Sequence, residues 1–425
     1  MKKLLIFGSD KAVYAILEYA KKQGIYTIVT DSYSIEKSPC KLLADEYWDI
    51  HFGDIDALEK KCKEKQVDGV ITGLSEYGIV KMMELSKRLG LKAYCTPEAW
   101  HYSIDKDDFK KKCKEFGVSV AKDFYVSESL TDEELSLVEY PVVVKPVDQN
   151  GNRGVSYCNN PDELREAYHY AKSISKSDKI IVEKMLKGEE WYVTYVMADG
   201  AISMIAMNAM YSEPGYPKNC YTITTTVTDH IARFNSEVNS GIVNVLKQIG
   251  CKEGLAWIQV MLDEDDHFYV VEMGYRFDGC MMYLPYRNLV GYDTIKNLVD
   301  YTIGEKIDSS VLPPSQNEAY RKCACCYMFW SKKDGVVKEV KGLDDFRLIP
   351  DVCFVSSVSP GAVLEKYHSF GMILFLSDNC SEMCKTIDLI NRKVSITTED
   401  DEDAIIKYTN FDYLKKIYNK GLEGK

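Results

Sequence analysis

Tyr140-Pro-Val-Val-Val-Lys145-Pro146 ends a run of apolar residues on a lysine, and Asp148-Gln-Asn-Gly151-Asn-Arg153-Gly154 follows directly. A cation at the end of a buried strand needs a partner or an anionic ligand. The glycines let the loop turn backbone N–H groups toward phosphate, and Arg153 adds charge. A hairpin loop beside a snorkelling lysine gives the same pattern. Further along, Ile180-Ile-Val-Glu183-Lys184-Met-Leu186-Lys-Gly188-Glu-Glu190 begins as a strand and leaves it extended. Extended backbone can hydrogen-bond an adenine edge, and a carboxylate can accept both ribose hydroxyls; an exposed acidic loop is the alternative. Trp257-Ile-Gln259 and Val270-Val-Glu272 fall on two strands of one hairpin. Alternation places Trp257, Gln259 and Met261 on one face, and Val270 with Glu272 on one face of the partner. Gln259 and Glu272 then meet and offer two oxygen ligands to Mg²⁺, or simply bond each other across the strands. Arg276, just beyond, reaches toward a phosphoryl group in transfer.

These groups need a scaffold. Leu4–Phe7, Tyr26–Thr30 and Gly69–Thr72 read as strands alternating with helices, one marked by Val13, Ile16, Leu17 and Ala20. Such units build a parallel, doubly wound sheet, predicted over residues 1–97. The turn Gly8-Ser9-Asp10 lacks the Gly-x-Gly-x-x-Gly spacing of a dinucleotide site, which argues against a nicotinamide dehydrogenase. From 98 to 312 the pattern becomes α+β. A polar helix starts at Lys106 and closes at Gly117, another runs from Pro161 to about Lys172, and Asp199-Gly200 joins two strands. Pro313-Pro314 marks a linker, and 315–425 is mixed α/β. Met210–Thr226, rich in Tyr and Thr, reads as the substrate segment. Tyr211 and Tyr221 are pocket candidates within it, and Arg287 is a candidate carboxylate clamp.

The net charge of −12 argues against nucleic acid or an anionic membrane as partner. The opening apolar run is too short for a signal peptide, and no segment is long enough to span a bilayer. The fourteen cysteines therefore read as reduced thiols in a cytoplasmic protein. Cys323-Ala-Cys325-Cys326 sits in an alternating run with no second Cys/His pair nearby, so a strand of buried thiols is expected there rather than a metal site.

The ordered set Asp105-Lys106, Tyr140-to-Lys145 with its glycine loop, Glu183-to-Glu190, and Gln259 with Glu272-Met-Gly-Tyr-Arg276 resembles the ATP-grasp superfamily over roughly residues 1–310. The last third is similar, more loosely, to the C-terminal domain of ATP-grasp amino-acid ligases. The resemblance implies a Rossmann-like pre-ATP-grasp domain, an ATP-grasp domain with a mobile lid at about 123–191, and a mixed α/β C-terminal domain. It implies ATP and Mg²⁺ as cofactors, with Mn²⁺ as an alternative. Lys106, Lys145 and the loop holding Gly151, Arg153 and Gly154 would take the phosphates. Glu183 would face the adenine amino group, the backbone of Lys184 and Leu186 would read the ring, and Glu190 would hold the ribose. Gln259 and Glu272 match metal ligands, and Arg276 matches the cation that stabilises an acyl phosphate. The implied activity joins a small-molecule carboxylate to an amine through that acyl phosphate. Carbamoyl-phosphate or carboxyphosphate formation and a silent ATP-binding protein stand as alternatives, and a homodimer is among the expected partners. Two departures stand out: Gly274 replaces the usual Asn of Glu-Met-Asn, and Gln259 stands where many relatives use an acid.

Overall fold

The computed structural model describes residues 1–147, 154–177, 179–227, 229–316, 320 and 322–423. Gly151 and Arg153 lie outside the described residues. The first unit is a parallel sheet of β1 (Lys3–Phe7), β2 (Tyr26–Thr30), β3 (Glu46–Trp48) and β4 (Gly69–Thr72), in the order β3-β2-β1-β4. Its continuous apolar runs are those of a sheet covered on both faces. The strand order reverses between β1 and β4, where a parallel sheet opens a crevice. Asp10 fills it. Its carboxylate accepts from the backbone of Ala12, Val13 and Leu74 at 2.9, 3.1 and 2.7 Å and caps the helix Lys11–Lys22. A phosphate would meet that negative charge, in keeping with the missing glycine fingerprint.

A second sheet, antiparallel, orders β5 (Val142–Pro146), β6 (Ser156–Cys158) and β7 (Ile180–Lys184) as β6-β5-β7. The helix Pro161–Ile174 starts on an Asn160 cap and packs Leu164, Ala167 and Ala171 against it. Val126, Leu135, Val142, Val144 and Val182 complete a hydrophobic cluster separate from the main core.

The third sheet is the largest. It contains β8 (Gly188–Ala198), β9 (Ala201–Ser212), β10 (Tyr221–Thr225), β11 (Gly254–Asp263), β12 (Phe268–Gly274) and β13 (Cys323–Trp330). After β14 (Gly335–Lys341) come β15 (Val352–Val355), β16 (Val363–Leu364), β17 (Ser369–Ser377) and β18 (Ser395–Thr398). The large sheet runs β12-β11-β8-β9-β10-β13-β17-β15, and β16-β14-β18 form a small one. The turn joining β8 to β9 holds Asp199 and Gly200 at φ +50° and +76°, the pair of left-handed residues that a tight hairpin needs. The sheet continues across the break expected at 312–315, because Thr224 of β10 pairs with Cys326 of β13. The Pro313 segment lies along β9, with Ser203 Oγ donating to the Pro313 carbonyl at 2.6 Å. Cys323, Cys325 and Cys326 are buried on β13, and all fourteen cysteines are free.

Candidate active site

The site grows from one irregularity. Between β11 and β12 the pairs are Trp257 with Gly274, Ile258 with Met273 and Gln259 with Glu272, but Val260 then pairs with Val270. Val271 is therefore the extra residue of a β-bulge. Strict alternation put Val270 and Glu272 on one face; the bulge corrects this, and they face opposite ways. A regular ladder from the Val260–Val270 pair would set Val271 opposite Gln259. The bulge delivers Glu272 instead, as bulges beside functional sites do. Gln259 also pairs with Tyr192 of β8, which pairs with Asn208 of β9. Glu272, Gln259, Tyr192 and Asn208 thus form a row across four strands.

Charges converge on this row. Lys106, at the first turn of the helix Lys106–Glu115, reaches Glu272 at 3.0 Å. Gln259 Nε2 donates to Glu190 Oε1, and the Tyr221 hydroxyl donates to Glu190 Oε2 at 2.5 Å. Burial pushes the Glu190 carboxyl up, and nearby Glu272 adds to this against Tyr221, Gln259 and Lys145. With its NH₂ turned to Glu190, Gln259 presents its carbonyl oxygen. One amide oxygen and the Glu272 and Glu190 carboxylates make a hard oxygen set that fits Mg²⁺ or Mn²⁺.

On the smaller sheet, Lys145 Nζ donates to Glu183 Oε1 at 2.5 Å and Lys110 Nζ to Glu183 Oε2 at 2.8 Å. Lys110 also bonds Asp123. Burial alone would raise Glu183, but the two ammonium groups outweigh it and hold the carboxyl at about 2. Both Glu183 oxygens are engaged, so its carboxylate anchors two lysines. Lys184 donates its backbone N–H to the Lys122 carbonyl at 2.8 Å, which leaves that N–H unavailable to a ring. Leu186 lies in the irregular turn between β7 and β8. Gly154 takes φ +80°, beside Ile174 and Pro146. The Lys145 ammonium also favours the charged form of the Glu190 carboxyl, which links the smaller sheet to this row.

Arg276 leaves β12 with its guanidinium over the Trp257 ring, 5.2 Å from the centroid. It donates to Glu76 at 3.1 Å and to the Phe277 carbonyl at 3.0 Å. The indole explains Gly274, because a Cβ there would stand 2.2 Å from its ring. The expected substrate residues divide. Tyr221 belongs to the site through Glu190. Tyr211 is core instead: it is buried edge-on to Tyr413, with its hydroxyl toward the Val227 carbonyl. Arg287 is also corrected, its side chain 73% exposed and 3.5 Å from Asp293. Lys110, 2% exposed, was missed among the lysines of its helix. It lies one turn beyond Lys106, and that spacing is the signal that it shares the inner face.

Two antiparallel sheets closing on lysines and a Gln–Glu hairpin define an ATP-grasp architecture, and residues 138–283 match the ATP-grasp domain family. The chain is 26% identical over 192 residues to formate-dependent phosphoribosylglycinamide formyltransferase of Bacteroides thetaiotaomicron, covering 44% of this chain and 48% of that protein. It is 29% identical over 195 residues to the Synechococcus elongatus protein of the same name, with the same coverage. The chain thus spans about half the length of the curated relatives it matches. Among solved structures, the L-amino acid ligase from Bacillus licheniformis superposes with a TM-score of 0.75 at 18% identity, covering 94% of this chain and 99% of that one. Phosphoribosylglycinamide synthetase from Anaerococcus prevotii gives 0.72 at 20% identity, covering 94% and 100%. These likenesses show the fold. No helix among the described residues is long and apolar enough to cross a membrane.

Proposed function

We propose that this chain is an ATP-dependent carboxylate–amine ligase of the cytoplasm. The observation that carries the reading is the row of Glu272, Gln259 and Glu190, with Lys106 paired to Glu272, Lys145 acting on Glu190, and Arg276 over the Trp257 ring beside them. Lys106 pairs with Glu272, and a triphosphate would draw it and Lys145 onto its oxygens. Mg²⁺ at Glu272 and Gln259, when bound, would neutralise phosphate charge. A substrate carboxylate oxygen attacks the γ-phosphorus and ADP leaves. An amine nitrogen then attacks the acyl carbon, loses a proton, and expels phosphate. Arg276 is placed to meet charge that builds on the acyl phosphate, held flat by Trp257 and aimed by Glu76. The independent cluster behind β5, β6 and β7 suits a lid that shuts over a hydrolysable intermediate.

The test is ADP release from MgATP with pooled amino acids and other small carboxylates, each with and without an amine. We expect release that needs both partners, and Arg276→Ala should lower it about a hundredfold while ADP still binds. Gly274, which offers no side-chain ligand, favours a second reading: a protein that holds ATP without turnover. ADP binding with no release on any pool would select it.

A further inference from the structure

None of the fourteen thiols serves the ligase chemistry, and all but Cys280 and Cys353 are buried. Cys353 turns its sulfur to the Asp351 carbonyl at 3.9 Å. Cys280 is placed differently. It lies four residues past Arg276, beside the exposed Gly279, and its Sγ is 3.5 Å from Thr224 Oγ1 of β10. Thr224 pairs directly with Cys326 of β13. The Cβ atoms of such a pair stand about 5 Å apart on one face, which sets Cys280 over Cys326 as well. The two sulfurs bond each other.

That face also carries the candidate site. Thr224 pairs with Met210, which shares a face with Asn208 two residues earlier, and Asn208 leads through Tyr192 to Gln259. The surroundings suit a reactive thiol. The Cys326 S–H has Met372 Sδ at 3.8 Å, and the Lys11 ammonium lies 3.9 Å from that same Met372 sulfur. A bond from Cys326 holds the Cys280 thiol below its usual range, helped by Thr224 and Lys11 against burial and Asp278. The same bond pushes Cys326 up, so Cys280 is the thiolate and Cys326 keeps its proton. Cys380 and Cys384, one turn apart on the helix Cys380–Lys393, are both buried and closed to an oxidant.

We infer that Cys280 and Cys326 are a modification site, which a hydroperoxide joins in a reversible disulfide that ties the chain after Arg276 to the large sheet. The Cys280 thiolate attacks the outer oxygen of the hydroperoxide and the O–O bond breaks. The leaving alkoxide takes a proton and departs as an alcohol, or as water from hydrogen peroxide. The Cys326 sulfur then attacks the sulfenic sulfur, and the expelled hydroxide takes the Cys326 proton as water. Two thiols are oxidised, one peroxide bond is reduced, and a dithiol reverses the bridge by exchange. Asp278 accepts from the backbone of Cys280 and Met282 at 3.0 and 3.2 Å, so a tether at 280 acts on the turn that follows Arg276. The inference stands apart from the ligase reading, because the bridge forms and is read without turnover.

The test treats the full reduced chain with hydrogen peroxide and maps its peptides by mass. The expected product is a peptide holding Cys280 joined to one holding Cys326, lighter by two hydrogens and separated by dithiothreitol. In Cys326→Ser, dimedone added with the peroxide should label Cys280 about tenfold or more faster than Cys353 in the same chain. In Cys280→Ser it should leave Cys326 unlabelled. Amide exchange across 277–285 should slow in the bridged chain and recover on reduction. The parent map and the Cys280→Ser chain keep the test decisive if Cys326→Ser does not fold. Cys280 bridged to another thiol or oxidised without a bridge overturns the inference. So does Cys280 labelled no faster than Cys353, label on Cys326 in Cys280→Ser, or unchanged exchange across 277–285.

Discussion

Trp257 and Gly274 share one volume, and a side chain at 274 displaces the indole. Gly274→Asn should cost about 1–3 kcal/mol of stability by overpacking, read in urea unfolding, and Trp257→Ala in the same chain should restore most of it. An Asn variant as stable as the parent would show that the ring has somewhere else to go. Glu183 is coupled differently. Replacing it with Gln strands two buried ammonium groups and should cost about 3–5 kcal/mol at neutral pH. The folded carboxyl titrates at about 2 against 4.5 for a free one, so its contribution is complete above 4.5 and fades as pH falls toward 2. The gap between Glu183→Gln and the parent should therefore narrow when unfolding is measured near pH 3, and a constant gap would contradict the charge pairing. Lys145 and Glu272 were visible in the sequence because an ionisable residue ending an apolar run is conspicuous. Lys110 was not, since a lysine among lysines looks solvated until the helix is given a face. Tyr211 and Tyr221 looked alike as residues and were separated only by which partner each hydroxyl meets.

At the scale of elements, the bulge at Val271 decides which side of the hairpin carries the acid. Deleting Val271 should leave Glu272 opposite Gln259 and preserve Mg·ADP binding, whereas inserting an alanine after it should turn Glu272 away and abolish binding, both read by calorimetry. Equal binding in the two variants would mean that Glu272 is not a ligand. The hairpins were legible because alternation and the Asp199-Gly200 turn are local. The bulge was not, because a pattern of residue types counts positions and not hydrogen bonds. The pairing of β10 with β13 was equally hidden, since nearly a hundred intervening residues separate its partners and no turn announces it.

For the whole molecule, the separate cluster behind β5–β7 predicts a body that moves as a unit. Amide exchange across 123–147 and 154–177 should slow on adding Mg·ADP, while β1 and β4 should exchange alike with and without it. Unchanged exchange across these segments would argue that they do not move on binding. The continuous large sheet has a consequence for biosynthesis. Tyr221 and Thr224 sit on a strand whose second neighbour is not translated until the ribosome passes Trp330, and that neighbour is itself covered only after Ser377. A nascent chain therefore carries a raw strand border through that interval, open to mispairing. Ribosome-stalled chains released before 377 should accumulate as insoluble or chaperone-bound material, so competence arrives late and all at once.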